Sequence, residues 1–225
     1  MERQVRQEGE KMGELRVRKL VVGMVMTNCY LAYDDDSREA FVVDPGDEAR
    51  KISRVIREEK LDLKGILLTH GHFDHMLAVP ELKTEFAVPI YAHEKERELL
   101  ADSQMNLSGA WIGRPTSIQA DVWLKDGEVF QIAGFSVQAI YTPGHTVGGV
   151  SYYIEKEGAL FCGDTLFCES YGRIDLPTGS GREIARSINE KLLVLPEDVM
   201  VYPGHQEETT IGHERVYNPL SKGAF

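Results

Sequence analysis

Ile66-Leu67-Leu68-Thr69-His70-Gly71-His72-Phe73-Asp74-His75 decides how this chain is read. The apolar run Ile66 to Leu68 reads as a short buried strand. The polar residues fall just past its C-terminal end, where open α/β sheets place their sites. Three histidines and an aspartate lie within the six residues His70 to His75. Histidines at i and i+2 can converge on one metal ion from a loop. Asp74 and His75 can reach a second ion beside it. The plain alternative is a solvated, histidine-rich turn. Four ligand-type side chains packed directly behind a strand weigh against it, since such clusters read as metal sites.

Upstream of this stretch, Leu15 to Val22 alternates and then turns apolar, as in a strand. Asn28 to Tyr33 and Ala40 to Val43 make two more strands, the last stopping at Asp44-Pro45-Gly46. Short turns between the three suggest an antiparallel meander. From Glu48 to Lys60 the apolar positions Ala49, Ile52, Val55 and Ile56 have helical spacing, with Asp47 as a cap. Downstream, Leu77 to Phe86 and Glu94 to Ala101 read as helices around a strand at Pro89 to Ala92. Ser103 to Ala120 is polar and aperiodic, a candidate substrate-covering loop carrying Met105 and Trp111. In that loop, packing is the plainer role for both side chains.

Strands resume at Glu128 to Ile132 and Phe135 to Tyr141, paired across Ala133-Gly134, then at Val150 to Ile154 and Ala159 to Cys162. A helix over Arg182 to Leu193 and a strand over Val199 to Tyr202 close the pattern. The two halves resemble each other in layout. The expected fold is α/β: two sheets packed face to face with helices outside, a four-layer αββα sandwich. Residues 1–14 are expected to be a frayed extension and 15–225 a single domain; translation could start at Met1 or at Met12.

Composition narrows the function. The chain has 225 residues, 42% of them hydrophobic, and a net charge of -11. That charge argues against nucleic-acid binding, which needs a basic footprint. No apolar run approaches a membrane span. The N-terminus has neither an apolar signal core nor an acid-poor composition. Cys29, Cys162 and Cys168 form no disulfide framework and no CxxC pair, so free thiols in a reducing cytoplasm are expected.

Polar residues recur where apolar runs end: Asp44, His70 to His75, His145 (in Thr142-Pro143-Gly144-His145-Thr146), Asp164 (in Gly163-Asp164-Thr165) and His205 (in Pro203-Gly204-His205). Alone, His145 would read as a hydrogen-bonded loop histidine and Asp164 as a turn cap. Their repetition at strand ends is the signal. Five of the seven histidines belong to this set; His93 and His213 read as helix residues without that context. Neutral imidazoles with carboxylates suit zinc, iron, nickel or manganese. The lack of cysteine ligands argues against a closed structural zinc site. Two ions roughly 3.5–4 Å apart could hold a bridging hydroxide.

Thr69-His70-Gly71-His72-Phe73-Asp74-His75 resembles the THxHxDH signature of the metallo-β-lactamase superfamily. Thr142-Pro143-Gly144-His145-Thr146, Gly163-Asp164-Thr165-Leu166-Phe167 and Tyr202-Pro203-Gly204-His205 follow in that superfamily's order, so the resemblance runs from about Val21 to Leu220. Gly172-Arg173-Ile174-Asp175-Leu176-Pro177 and the stretch from Val201 to Asn218-Pro219 are similar to the glyoxalase II-like, short bacterial hydroxyacylglutathione hydrolase-like branch. The resemblance implies two divalent metal ions, zinc foremost, with iron or manganese possible. It implies His70, His72 and His145 on one ion, Asp74, His75 and His205 on the other, and Asp164 bridging. Asp74 and Asp164, with a metal-bound hydroxide, would carry the catalysis. Asp44 would orient a ligand from behind, and Arg173 would meet a carboxylate of the thiol carrier or pair with Asp175.

The implied activity is hydrolysis of a small-molecule thioester, without nucleic-acid or membrane partners. Three departures bear on substrate: the C-terminal helical domain of full-length glyoxalase II is missing, Glu207 stands where an aromatic is expected, and Leu77 and Ala78 replace common glycines. The alternative is a mononuclear iron persulfide dioxygenase using the His70, His72, His145 and Asp164 region. Lactamases with a cysteine at the position of Asp164 are a poorer match, and nuclease members carry a further large domain. Cys168, four residues past Asp164, is expected near the cleft as a packing residue.

Overall fold

A computed structural model describes residues 13–221. In Leu15–Val22 (β1), Leu15 and Val17 pack between the sheets, while on the opposite face Arg16 and Arg18 are exposed and Leu20 and Val22 further along are buried. β1 pairs antiparallel with Thr27–Asp34 (β2), and β2 with Glu39–Val43 (β3). The helix Ala49–Glu58 (α1) crosses over to Asp62–Leu67 (β4), which runs parallel to β3. Phe73–Met76 (α2) and Val79–Phe86 (α3) lead to Ile90–His93 (β5). Arg97–Ala101 (α4) and a long connection lead to Val122–Leu124 (β6). The first sheet is ordered β1-β2-β3-β4-β5-β6.

The second half supplies Val129–Ile132 (β7), Phe135–Tyr141 (β8), Val150–Ile154 (β9) and Ala159–Gly163 (β10). A small hairpin, Leu166–Phe167 (β11) and Ser170–Tyr171 (β12), precedes Gly181–Ser187 (α5). Met200–Pro203 (β13), Thr209–Thr210 (β14) and Ile211–Tyr217 (α6) follow. The second sheet is ordered β14-β13-β10-β9-β8-β7, with β10 and β13 parallel.

Three apolar layers hold this together. Between the sheets, Tyr30, Phe41 and Leu67 meet Val137, Tyr152 and Phe161. Outside the first sheet, Ile52 and Ile56 of α1 and Val79 and Leu82 of α3 cover Leu31, Val42 and Ile66. Outside the second, Ile184, Ile188 and Ile211 cover Leu160, Cys162 and Val201. This is the four-layer αββα sandwich. Each fully buried side chain of this size contributes on the order of 1.5–3 kcal/mol. Phe161 stands edge-on to Tyr30 at 5.6 Å and to Phe41 at 6.0 Å, which locks one sheet against the other.

Several local expectations change. The helix expected over Leu77 to Phe86 is α3, which starts at Val79, and a separate short helix not expected from the sequence, α2, precedes it. Asp47 does not cap α1: Glu48 is the capping residue at φ 54, with no side-chain cap, and Asp47 Oδ1 accepts the Glu48 N–H instead. Glu94–Glu96 is a 3-10 turn ahead of α4. The helix expected over Arg182 to Leu193 is α5 followed by a π-helical turn, Ile188–Leu192. β6, β11, β12 and β14 are two or three residues long, too short to show a period. His93 is not helical. It ends β5, buried, stacked on Tyr141 at 4.4 Å. Residues 1–12 of the expected N-terminal extension lie outside the described residues; Gly13 and Glu14 lead into β1. Among the described residues no helix is long and apolar enough to cross a membrane.

Candidate metal centre

The parallel pairs β3–β4 and β10–β13 send the chain out of both sheets at one edge, so Asp44, His70 to His75, Asp164 and His205 emerge together. β8 ends two residues before Pro143 and delivers His145 to the same edge. Asn28 sews the two sheets there: its side-chain amide donates to Pro203 O at 3.0 Å and Gln206 O at 2.9 Å. Tyr30 donates its hydroxyl to Pro203 O at 2.7 Å.

His70, His72 and His145 form one group whose ligand atoms lie within 4.8 Å of one another; Asp74, His75 and His205 form a second. His72 Nδ1 and His145 Nε2 face each other at 2.9 Å. Two ligands 2.0–2.1 Å from a tetrahedral zinc are separated by roughly 3.3 Å, so this spacing fits a shared ion. Asp164 stands between the groups. Its Oδ1 is 3.5 Å from His75 Nε2 and its Oδ2 3.5 Å from His145 Nε2 and 3.6 Å from His205 Nε2. Asp74 Oδ2 lies 3.4 Å from His75 Nε2 and 3.3 Å from His205 Nε2.

Among the described residues, five buried side-chain polar atoms have no hydrogen-bond partner: His70 Nε2, His72 Nε2, His75 Nε2, Asp164 Oδ1 and Thr146 Oγ1. Buried polar atoms are normally satisfied, so the orphaned His70 Nε2, His75 Nε2 and Asp164 Oδ1, beside the facing pair His72 Nδ1 and His145 Nε2, mark a cation site. The donor set fits borderline divalent metals.

On His75 and His145 the other ring nitrogen is held from behind, which fixes which nitrogen faces the centre. His75 Nδ1 meets Asp44 Oδ2 at 3.0 Å, and His145 Nδ1 donates to Arg173 O at 2.7 Å. Asp44 also accepts the Thr69 N–H at 2.8 Å and the Thr69 hydroxyl at 2.6 Å. With both oxygens engaged, Asp44 is placed to orient His75 rather than to bind an ion. Thr27 donates to Asp74 Oδ2 at 3.0 Å.

Charge is distributed to match. Burial, then the neighbouring imidazoles, push His70 and His72 well below the usual histidine range, so they are neutral, as ligands must be. Burial also pulls on His75, but Asp74, Asp164 and Asp44 outweigh it and lift it to about 10. Burial would raise Asp74, yet His75 and His205 hold it below the carboxylate range. The His75 corner is therefore a proton or cation trap.

One residue escaped the sequence reading. Glu96 is buried; its Oε1 accepts the Gly71 N–H at 2.8 Å and its Oε2 the Gly148 N–H at 2.7 Å. It clamps the loop holding His70 and His72 to the loop after His145. Burial pushes its carboxyl up to about 7, while the Gly71 N–H pulls the other way. In the sequence it sits in the charged run Glu94-Lys95-Glu96-Arg97-Glu98, which reads as a solvated face. The only signal was its phase with Leu99 and Leu100, at i+3 and i+4.

The open side of the cluster is a cleft of about 150 Å³ reaching His72, Asp74, His145, Asp164 and His205. Trp111 lines it, half exposed, edge-on to Phe73 at 6.3 Å. The Ser103 to Ala120 connection thus does reach the cleft, while buried Asn106 and Ser108 anchor it. Arg173 also lines the cleft, but makes two 2.7 Å bonds to Asp175 and lies over the Trp111 ring at 5.7 Å. Cys168 is not among the cleft-lining residues; it groups with His213 and Glu214. Cys29 and Cys162 are core residues. A separate depression of about 600 Å³ is an open charged face over α1 with none of the ligand set.

A two-sheet sandwich with paired histidine and aspartate clusters at its strand ends is the scaffold of a metal-dependent hydrolase. The chain belongs to the metallo-beta-lactamase superfamily, whose model matches residues 22–205. Among its relatives, the probable metallo-hydrolase YqgX of Bacillus subtilis is 39% identical over 211 residues, covering 93% of this chain and 99% of that protein. Hydroxyacylglutathione hydrolase GloC of Haemophilus influenzae is 36% identical over 195 residues, covering 86% and 92%. Among solved structures, the BLEG-1 B3 metallo-beta-lactamase superposes with a TM-score of 0.88 at 41% identity, covering 92% of this chain and all of that one.

Proposed function

We propose that the protein hydrolyses a small thioester with two divalent metal ions, zinc foremost and iron or manganese possible, held in the cleft. His70, His72 and His145 would hold one ion, Asp74, His75 and His205 the other, and Asp164 both. The observation that carries this reading is the set of orphaned atoms His70 Nε2, His75 Nε2 and Asp164 Oδ1 on the two ligand groups, with His72 Nδ1 facing His145 Nε2 at 2.9 Å beside them. When bound, such ions supply an activated water at neutral pH and polarise a carbonyl.

The chain's own residues do the rest. Asp44 holds the His75 ring with Nε2 toward the centre, and Arg173 O does the same for His145. Asp74, fixed by Thr27, keeps an ionised carboxylate at the cleft to orient the attacking water. Phe73 and Trp111 wall the cleft with apolar surface, which excludes bulk water from the reacting carbonyl. The resemblance of the Leu176-Pro177 and Tyr202-Pro203-Gly204-His205 stretches to the glyoxalase II-like branch, and the similarity to GloC, support a thioester over other acyl groups.

The test is elemental analysis of protein purified without chelator, followed by thioester assays. Near two zinc ions per chain and thioester turnover that disappears in a folded Asp164→Ala variant support the reading. One iron per chain with persulfide-dependent oxygen uptake moves the assignment to a dioxygenase. Similarity to BLEG-1 supplies a second reading, β-lactam hydrolysis. Turnover of a chromogenic cephalosporin with no turnover of any thioester would establish it.

A further inference from the structure

A second cavity, about 200 Å³, opens off the metal cleft and shares Val25, Phe73 and Asp74 with it. Its walls come from two segments. One is the turn Gly23 to Met26 between β1 and β2, which points Met24 and Val25 over the opening. The other is the Leu107–Arg114 part of the long connection, which contributes Ile112 and Arg114. Phe73 and Leu77 of the histidine stretch form the floor, buried at 4% and 6% exposure and packed with Leu107 and Ile112.

Three features set this cavity apart from an ordinary surface dent. It borders the metal cleft, with which it shares Asp74. Its floor and one wall are apolar. Its rim holds apolar side chains that none of the described residues covers: Met24 at 77% exposure, Val25 at 43% and, across the cleft, Trp111 at 53%. Uncovered apolar groups gathered at one opening mark a binding surface. The charged groups at the far end, Asp47 and Arg114, face each other at 3.7 Å. The polar side of the cleft is elsewhere, at Arg173 and Asp175.

We propose that this cavity is the acyl subsite, and that the preferred substrates are thioesters of linear apolar acids of medium length rather than of acetate. This rests on the thioester reading above. The acyl chain lies along Met24, Val25, Phe73, Leu77 and Ile112, and the polar thiol carrier leaves past Arg173. In the reaction, the oxygen of water forms a bond to the carbonyl carbon and the carbon–sulfur bond breaks. The electron pair leaves on sulfur, a proton from water ends on the thiol, and the fatty acid is released. Leu77 supplies apolar contact at the floor. A cavity of about 200 Å³ has room for about six methylene-sized groups if each takes roughly the 30 Å³ of a liquid water.

The test uses the metal-loaded protein and N-acetylcysteamine thioesters from acetyl to decanoyl, a carrier too small to contribute its own recognition. kcat/KM is expected to rise about fourfold per methylene and to level off after about six. Met24→Asp, at the rim and not itself a proposed metal ligand, is expected to lower the octanoyl-to-acetyl ratio at least tenfold with metal content unchanged. Calorimetry with octanoate and acetate gives a reading independent of turnover: octanoate binds the wild-type protein more tightly, and Met24→Asp removes the difference. Acetyl and octanoyl thioesters hydrolysed equally well, or octanoate bound no better than acetate, overturns the acyl subsite and leaves the thioester reading standing. No hydrolysis at any chain length overturns both.

Discussion

Glu96 Oε2 accepts the backbone N–H of Gly148 at 2.7 Å, and any side chain on residue 148 would overlap Glu96 itself. The carboxylate and the bare glycine are complementary, and its other oxygen reaches Gly71 between two of the histidines. Glu96→Ala would leave two buried N–H groups unpaired, at about 1–3 kcal/mol each. Metal affinity is expected to fall about 10–100-fold, as for other supports of ligand geometry. Glu96→Gln should restore only part of this, because its NH₂ meets an N–H donor. Competition with a fluorescent chelator, beside thermal unfolding of the metal-free protein, separates the two effects. A Glu96→Ala protein that loses stability but keeps wild-type metal affinity would refute the clamp.

Gly204 makes a comparable approach on the other side of the site. A Cβ there would run into Asp164 Oδ1 and come within van der Waals overlap of His75 Cε1. Gly204→Ala must therefore displace the bridging carboxylate. Metal content near half of wild type is expected, with thioester turnover reduced at least a hundredfold. Wild-type metal content in that variant would show that Asp164 has slack the geometry does not suggest.

Much of this was legible in the primary structure, for a physical reason. Each ligand follows directly on an apolar run, and a short strand buried in a sandwich has little freedom in where its C-terminal end emerges. His70, His75, Asp164 and His205 could thus be placed together before their distances were known. Glu96 could not, because its partners are backbone N–H groups far along the chain, and its own neighbours are charged. His93 was misplaced for a related reason: the 3-10 turn begins at the very next residue after β5, and burial by Tyr141 comes from a different sheet. The acyl cavity was likewise invisible, since Met24 and Ile112 meet only in the folded chain.

Asp44 tests how far a residue behind the ligands controls them. Its Oδ2 serves both the Thr69 hydroxyl and His75 Nδ1. Asp44→Asn keeps the volume but removes the charge and can present an NH₂ to one of two groups that need an acceptor. Loss of the second metal is expected before loss of the first, with about 10–100-fold weaker binding at the His75 group. Metal titration followed by isotopically labelled histidine NMR would show which rings respond. Simultaneous weakening at both groups would mean that Asp44 acts through the whole strand end rather than through His75.

His93 gives a prediction in pH. Burial holds its pKa down to about 4; Glu94 and Asp126 pull it back up, and Lys95 and Lys191 push it further down. The folded protein keeps it neutral where the unfolded chain, with an ordinary value of 6.5, takes up a proton. Its contribution is therefore complete above about pH 6.5 and is lost as the pH falls toward 4. His93→Phe retains the stack on Tyr141 and cannot titrate. Histidines of the metal site are common to both proteins and cancel in the difference. Between pH 7 and 4.5 the wild type should lose about 2–3 kcal/mol relative to the variant, or about 5–10 °C in Tm for a domain of this size. A Tm difference that stays constant across that range would mean that His93 is protonated in the folded protein as readily as in the unfolded chain.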